Sequence, residues 1–380
     1  MRKLIYILIC SPLLVFSQDT TVIHLMSRMD GRHTLENASQ TNFWGYGYTS
    51  EDSITLPGPL LEIPKGDSVY LHFYNDSPEN HTIHLHGLDA SQANDGVPGT
   101  SFSVHDNDSA TYRFLANHEG SYLYHCHVAT TQHLAMGMYG MIVVADEDMR
   151  LGEDESLTYS KSKSYLFSDM DRGWNRDPLN PGPFNQYEAS YFMVNGMSGS
   201  MLLDSLKEQI YIETVDTLRL NIANVGYEKV TVDIPVEVQS RIVCSDGRML
   251  PDVLMNNELE LFPGERYTLL LSSTAGYSGG INVLYTNLST NEQNGENFIP
   301  ITIESPEGVK EAKPSIDCFI QDGVLQFNCQ ERERFSLVDM QGRLVLNGYT
   351  EAGLNQISLE GRTRGAYILT IGRVVVKVVY

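Results

Sequence analysis

Nine of the chain's 11 histidines fall between His72 and His133, and none follows His133. They gather in two stretches, HTIHLHG from His81 and YHCHVATTQHLAMGM from Tyr124. On a strand, side chains two apart share a face and odd offsets point to opposite faces. His84 and His86 therefore share a face, as do His125 and His127, with Cys126 directed the other way. His81 has the opposite parity to His84 and His86 if its strand reaches back that far. The pattern predicts two ligand sets on opposite sides of one sheet. One is an all-imidazole face of His84, His86, His125 and His127. The other is His81 and Cys126, joined by His133 and Met138 from the following loop.

Two histidines, a thiolate and a thioether form the trigonal set with a weak axial methionine that copper uses for electron transfer. The thiolate favours Cu(I) and the imidazoles keep Cu(II) accessible. Gly137 and Gly140 suit a tight return into the strand MYGMIVVA. The four-imidazole face suits copper or zinc, but zinc accounts for neither Met138 nor a thiolate between two histidines. Scattered surface histidines on an ordinary sandwich would not produce two HxH pairs together with Cys-x6-His-x4-Met. The backbone joining Cys126 to His125 and His127 gives a short covalent path between the two sets.

The segments HTIHLHGLDASQANDGVPG and YRFLANHEGSYLYHCHVATTQHLAMGMYGMIVV resemble the multicopper oxidase family, specifically the first domain of laccase-like enzymes. The resemblance covers roughly the first 145 residues. It implies His81, Cys126, His133 and Met138 at a type 1 copper, His84 at a type 2 copper, and His86, His125 and His127 at a type 3 pair. The interval between His127 and His133 is longer than the usual oxidase motif and looks more like the two-domain members, copper nitrite reductases included. Asp95 lies in the family's DGVP turn and is a candidate proton relay or orienter of a ligand histidine. Met136 is a second possible sulfur donor or a packing residue, and Trp44 and Tyr46 read as packing.

These residues need a β scaffold. Strand-like pieces such as SVYLHFYN, ATYRFL and GSYLYHC alternate with Gly, Pro, Asn and Asp turns, and no long helical period appears. The expected class is all-β: two cupredoxin-like Greek-key β-sandwich domains followed by a small β-sandwich. Residues 1–17 read as a signal peptide, with Arg2 and Lys3 ahead of an apolar run. Residues 18–148 form the expected copper-binding domain, here an antiparallel sandwich, and the acidic DEDMRLGEDES a linker. Residues 162–304 follow the order of a second cupredoxin-like domain, through YFMVNGM, LRLNIANVG and LFPGERYTLLL. That domain holds no histidine, and GINVLYTN stands where a copper-bearing domain would place its ligands. Residues 305–315 read as a linker. Residues 316–380 resemble the C-terminal sorting domain used by Bacteroidetes-type bacteria for outer-membrane secretion, which implies a secreted or cell-surface protein exported through the periplasm. Export permits a Cys318–Cys329 disulfide.

The whole chain has a formal charge of −22, and removal of residues 1–17 makes it −24. Such a surface repels nucleic acid and anionic membrane, and no second apolar run of membrane length follows the first. The family's three-copper cluster requires eight histidines, of which this chain supplies His84, His86, His125 and His127. Related two-domain enzymes, nitrite reductases among them, draw on second-domain histidines, a route closed here. A homo-oligomer whose two half-sites face across a twofold axis would supply the full set, as would a partner chain. The expected activity is therefore oxidation of a one-electron donor (a small molecule, metal ion or protein) with reduction of oxygen. The alternative is a secreted blue copper electron carrier or copper-binding protein, and copper nitrite reduction is a weaker reading.

Overall fold

The computed structural model describes residues 19–153, 156–179, 182–305, 318–321, 323–329, 332–339, 343–372 and 374–380. The expected signal peptide and most of the 305–315 linker lie outside the described residues. The described chain is almost entirely β, in paired sheets.

The first sandwich comprises β1 (Thr20–Thr34), β2 (Gln40–Tyr48), β3 (Leu61–Pro64), β4 (Ser68–Asn75), β5 (His84–His86), β6 (Asp108–Leu115), β7 (Gly120–His125), the short helix α1 (Thr130–Ala135) and β8 (Tyr139–Ala145). Its two four-stranded sheets run β2-β1-β4-β6 and β3-β8-β7-β5. They are mixed rather than antiparallel, since β1 pairs parallel with β4 and β3 with β8. Each parallel pair is joined by a long excursion, which is the connection parallel strands require. Alternation builds the core: Val69, Leu71 and Phe73 of β4 are buried while Tyr70 and Tyr74 face outward. The sequence pattern missed β2 because Gly45 and Gly47 interrupt it. Both glycines are needed there, since a Cβ on Gly47 would stand 1.7 Å from the Ser53 carbonyl oxygen.

The second sandwich comprises β9 (Lys161–Met170), α2 (Arg172–Arg176), β10 (Tyr191–Val194), α3 (Gly199–Asp204), β11 (Ile210–Glu213), β12 (Leu218–Asn224), β13 (Lys229–Asp233), β14 (Gln239–Ser245), β15 (Arg248–Met255), β16 (Glu258–Leu261), β17 (Arg266–Ser272), β18 (Tyr277–Thr286) and β19 (Gln293–Glu304). A six-stranded sheet, β10-β9-β12-β17-β14-β15, faces a five-stranded one, β11-β19-β18-β13-β16. Beyond residue 317 a three-stranded and a four-stranded sheet share a small apolar core around Leu325, Leu337 and Leu369.

The acidic segment after β8 is more than a tether. Arg150 bridges Thr158, and Leu151 and Leu157 pack beside Cys244 of β14. Cys318 and Cys329 are thiols with no bond between them. Cys318 lies opposite Phe327 in the register, which leaves Cys329 displaced along the neighbouring strand.

The two sandwiches are docked tightly. Leu123, Tyr139, Met141 and Val143 share an apolar cluster with Leu166, Met170, Met193 and Ala223. Buried Arg219 donates to the Val144 carbonyl at 2.9 Å, and Tyr122 Oη donates to the Gly247 carbonyl at 2.9 Å. This docking fixes the rear of β7, the strand that leads into both ligand sets.

Candidate metal centres

Among the described residues, the chain forms two groups of three or more metal-competent side chains, both in the first sandwich. The first is His81, Cys126 and His133, all buried, with ligand atoms within 4.8 Å of one another. Cys126 Sγ lies 3.1 Å from His133 Nδ1 and 3.6 Å from His81 Nδ1. Three different pieces of backbone deliver these atoms. His81 sits on an isolated bridge to Val104, since β5 starts only at His84, so strand parity does not extend back to it. Cys126 follows the last residue of β7 and donates its N–H to the Met138 carbonyl at 3.1 Å. His133 comes from α1, where the sequence suggested only a loop. The Met138 N–H donates back to the His133 carbonyl at 3.0 Å. Met138 and Met136 are fully buried in the apolar cluster that also takes in Cys126.

Burial sets the protonation of this group. It lowers the His81 pKa to about 3, with His133 adding repulsion, and it lowers that of His133 against the opposing pull of Glu79. It also pushes the Cys126 thiol up. Without a metal, the group is therefore a thiol between two neutral imidazoles. The Nε2 atom of His81 is buried without a hydrogen-bond partner, that of His133 has the Glu79 carboxylate 3.4 Å away, and the two Nδ1 atoms are turned to the sulfur. Two neutral nitrogens and one sulfur converging in a dry pocket fit a soft-to-borderline metal such as copper. A bound cation would also displace the thiol proton.

The second group is His84, His86 and His125, with ligand atoms again within 4.8 Å. The His127 ring joins it with its centroid 5.2 Å from that of His84. The register places His84 opposite His125 across β5 and β7, and His86 Nδ1 is 3.2 Å from His125 Nε2. β7 ends at His125, so strand geometry does not hold His127; its N–H donates to Thr82 Oγ1 at 2.8 Å. Tyr46 Oη in turn donates to the Thr82 carbonyl at 2.6 Å. His125 Nδ1 is tied to the Cys126 carbonyl at 3.0 Å, and His84 Nδ1 to the Asp95 carbonyl at 2.7 Å, with the Asp95 carboxylate at 3.3 Å. Those contacts use Nδ1 and leave Nε2 for a ligand. Burial depresses the pKa of His125 to about 3 and of His86 to about 4, the latter helped by Arg266. Neutral imidazoles are the state that binds metal.

Several neighbours escaped the sequence reading. Glu79 Oε2 lies 3.4 Å from His133 Nε2 at the outer edge of the thiolate site. Trp44, read from the sequence as packing, is buried and meets the His133 ring edge-on at 5.4 Å, a contact the sequence did not show. From the second sandwich, Gly264 abuts His86: a Cβ there would stand 3.6 Å from His86 Cε1. Arg248 pairs with Asp89 at 2.7 Å, just beyond the HxHG motif. No spacing rule in the sequence connects these positions. The second sandwich's β18, where ligands were sought, presents Ile281, Val283 and Tyr285 to its core instead.

Residues 39–149 match the family model for multicopper oxidases. Copper resistance protein A of Escherichia coli is 35% identical over 115 residues, 30% of this chain and 18% of that protein. Laccase-1 of Cryptococcus neoformans var. grubii is 24% identical over 268 residues, 62% of this chain and 40% of that protein. The chain thus spans less than half the length of these relatives. The solved blue copper oxidase of Nitrosomonas europaea superposes with a TM-score of 0.61 at 24% identity, covering 77% of this chain and 88% of that one. That likeness concerns the fold and runs through the second sandwich. No helix among the described residues is long and apolar enough to cross a membrane. The first sandwich, with its two candidate copper-ligand clusters, is the part of the chain that matches the multicopper oxidase family.

Proposed function

We propose that this chain is a secreted copper oxidoreductase. It would oxidise a one-electron donor at His81, Cys126, His133 and Met138, and reduce oxygen at the imidazole set His84, His86, His125 and His127. The observation that carries the reading is the adjacency at the end of β7. Cys126 aims its sulfur into one cluster, while its neighbours His125 and His127 put their rings in the other. Bound copper would supply the one-electron couple at the first site and the affinity for oxygen at the second.

The protein's own contribution is positional. The docked sheets hold β7 still, and the bonds between Cys126 and Met138 close the loop around the thiolate. Asp95 and the Cys126 carbonyl fix the tautomers of His84 and His125, which is the usual task of groups around metal ligands. The Asp95 carboxylate is also the acidic group placed to pass a proton beside His84. In this reading the donor is a small molecule, a metal ion or a protein.

Four imidazoles make half of the family's oxygen-reducing set. The second sandwich contributes no histidine, so the other half comes from a second copy, with the two first sandwiches facing across a twofold axis. The same shortage favours a second reading, a blue copper electron carrier whose imidazole face binds one ion or none. Copper per chain, measured with solution mass and blue absorbance on the copper-loaded protein, separates the two. A dimer with about 2.5 coppers per chain, two thiolate sites and one shared cluster, supports the oxidase. A monomer with one blue copper supports the carrier.

A further inference from the structure

Resting on the reading above of the imidazole set as the oxygen site, we infer that Arg266 of the second sandwich is a specificity residue of that set. Its charge sets the site against a bare cation and in favour of a metal that carries a small anion. Arg266 opens β17 and is only 4% exposed. Its backbone is pinned to the turn after β14: the N–H donates to the Asp246 carboxylate at 3.2 Å, and the carbonyl accepts from the Asp246 N–H at 2.8 Å. Nη1 is spent on the Gly264 carbonyl at 2.7 Å and on Asp246 at 3.0 Å. Nη2 turns toward the chain leaving β5. A Cβ on Gly87, the residue after His86, would stand 2.2 Å from it, so a glycine there lets the guanidinium come this close. Nε is buried without a hydrogen-bond partner.

Joining the two sandwiches does not call for this arrangement. Arg219 does that job by donating to the Val144 carbonyl, whereas Arg266 makes its hydrogen bonds inside its own sandwich and brings only its charge to the first. A buried cation is costly unless negative charge answers it. Four neutral imidazoles bring none. Asp246 answers in part, but its side chain is half exposed and so screened by water. Asp95 is engaged with His84, and Asp89 is shared between Arg248 and His118. At His86 the depressing effect of Arg266 exceeds the opposing effect of Asp246. The second sandwich therefore presents net positive charge to the imidazole set. A divalent ion on the imidazoles adds to that charge, and a small anion on the ion relieves both.

The test titrates the full chain, its thiolate site already filled, first with copper against a chelator and then with azide, read from its charge-transfer absorbance. Wild type is compared with Arg266→Gln, Arg266→Lys and Asp246→Asn, and the blue band shows that each variant is folded. Arg266→Gln should bind copper at the imidazole set more tightly and azide roughly tenfold more weakly. Arg266→Lys keeps the charge and should stay within about threefold of wild type for both. Asp246→Asn keeps an acceptor for Arg266 but removes the counter-charge, so it should move both affinities the opposite way to Arg266→Gln. It carries the test if Arg266→Gln fails to fold. Copper and azide affinities that fall together, or that ignore the substitutions, make Arg266 a structural pin and overturn the inference, while copper at the imidazole set leaves the oxygen-site reading standing. A wild type that holds only the blue copper overturns that reading and the inference with it.

Discussion

The two large sandwiches are built on the same plan and used differently. The first encloses Cys126, Met136 and Met138 in its core and opens imidazoles at the end of one sheet. The second fills the corresponding volume with aliphatic side chains such as Ile222, Val232, Leu269 and Val283, and holds no histidine. A β-sandwich therefore needs no metal to close its core, and the ligands of the first are additions at strand ends. The second sandwich contributes rigidity and a rim. It clamps β7 from behind, and places Arg266, Gly264 and Arg248 around the imidazole set.

The largest effects should come from separating the first sandwich's two clusters. Cys126→Ser removes the sulfur that faces both His81 and His133 at hydrogen-bond range. It should abolish the blue absorbance and all donor oxidation in the copper-loaded protein. His127→Ala should leave the blue band intact and stop oxygen uptake, as seen with an oxygen electrode. If His127→Ala turned over normally, the imidazole face would not be the oxygen site. No equivalent pair of substitutions in the second sandwich should alter the visible spectrum.

The next effect concerns the copper-free protein. His81 and His125 are buried, with pKa values depressed to about 3 from an ordinary 6.5. The unfolded chain then binds protons that the folded chain refuses, so stability falls as pH drops from about 6.5 toward 3. The loss for the two together is on the order of several kcal/mol, at about 1.4 kcal/mol per pH unit for each histidine. Melting the copper-free chain across that range should show the midpoint falling with acid, whereas a His81→Phe variant should fall less. A midpoint that ignores pH would mean that these rings are solvated in the copper-free state.

The sequence was most informative where chemistry coincides with a short repeat. Two HxH pairs and a Cys-x6-His-x4-Met run name eight candidate ligands, six of which the structure gathers into the two clusters, because strand parity and ligand softness act within a few residues. The all-β class was equally readable from alternation in strands such as β4. β2 was hidden, because Gly45 and Gly47 answer to the backbone of residues 53–55 and not to any periodic rule. The mixed direction of the sheets is a matter of long connections, which local pattern does not encode. Glu79 was silent for the same reason: its meaning comes from a contact with His133, 54 residues away along the chain.

A smaller effect tests whether the turn after β5 is part of the imidazole site. Gly96 has φ of +74°, and a Cβ there would lie 2.0 Å from the Ile83 carbonyl oxygen. Gly96→Ala must therefore move the chain that presents the Asp95 carbonyl to His84. The backbone strain costs roughly 1–3 kcal/mol, visible as a lowered melting temperature. Copper at the imidazole set should bind more weakly while the blue band stays unchanged. Equal loss at both clusters would mean that the turn supports the whole sandwich and not His84 in particular.

The smallest effect is expected at Glu79, and it bears on how the thiolate site meets its donor. His133 Nε2 is buried, and the carboxylate 3.4 Å away is half exposed, so this is the acidic group at the outer edge of that ligand. With a metal on Nδ1, Nε2 carries the proton, and the carboxylate accepts it and steadies the ring. Glu79→Gln keeps an acceptor and removes the charge. For a partly exposed pair the change is worth about 1 kcal/mol or less, roughly fivefold at most. The effect should appear as a shift in the reduction potential of the blue site and a few-fold weaker KM for cationic donors, with neutral donors little affected. A uniform loss for every donor would place Glu79 with the packing around Trp44, and a null result for cations would place electron entry elsewhere on the first sandwich.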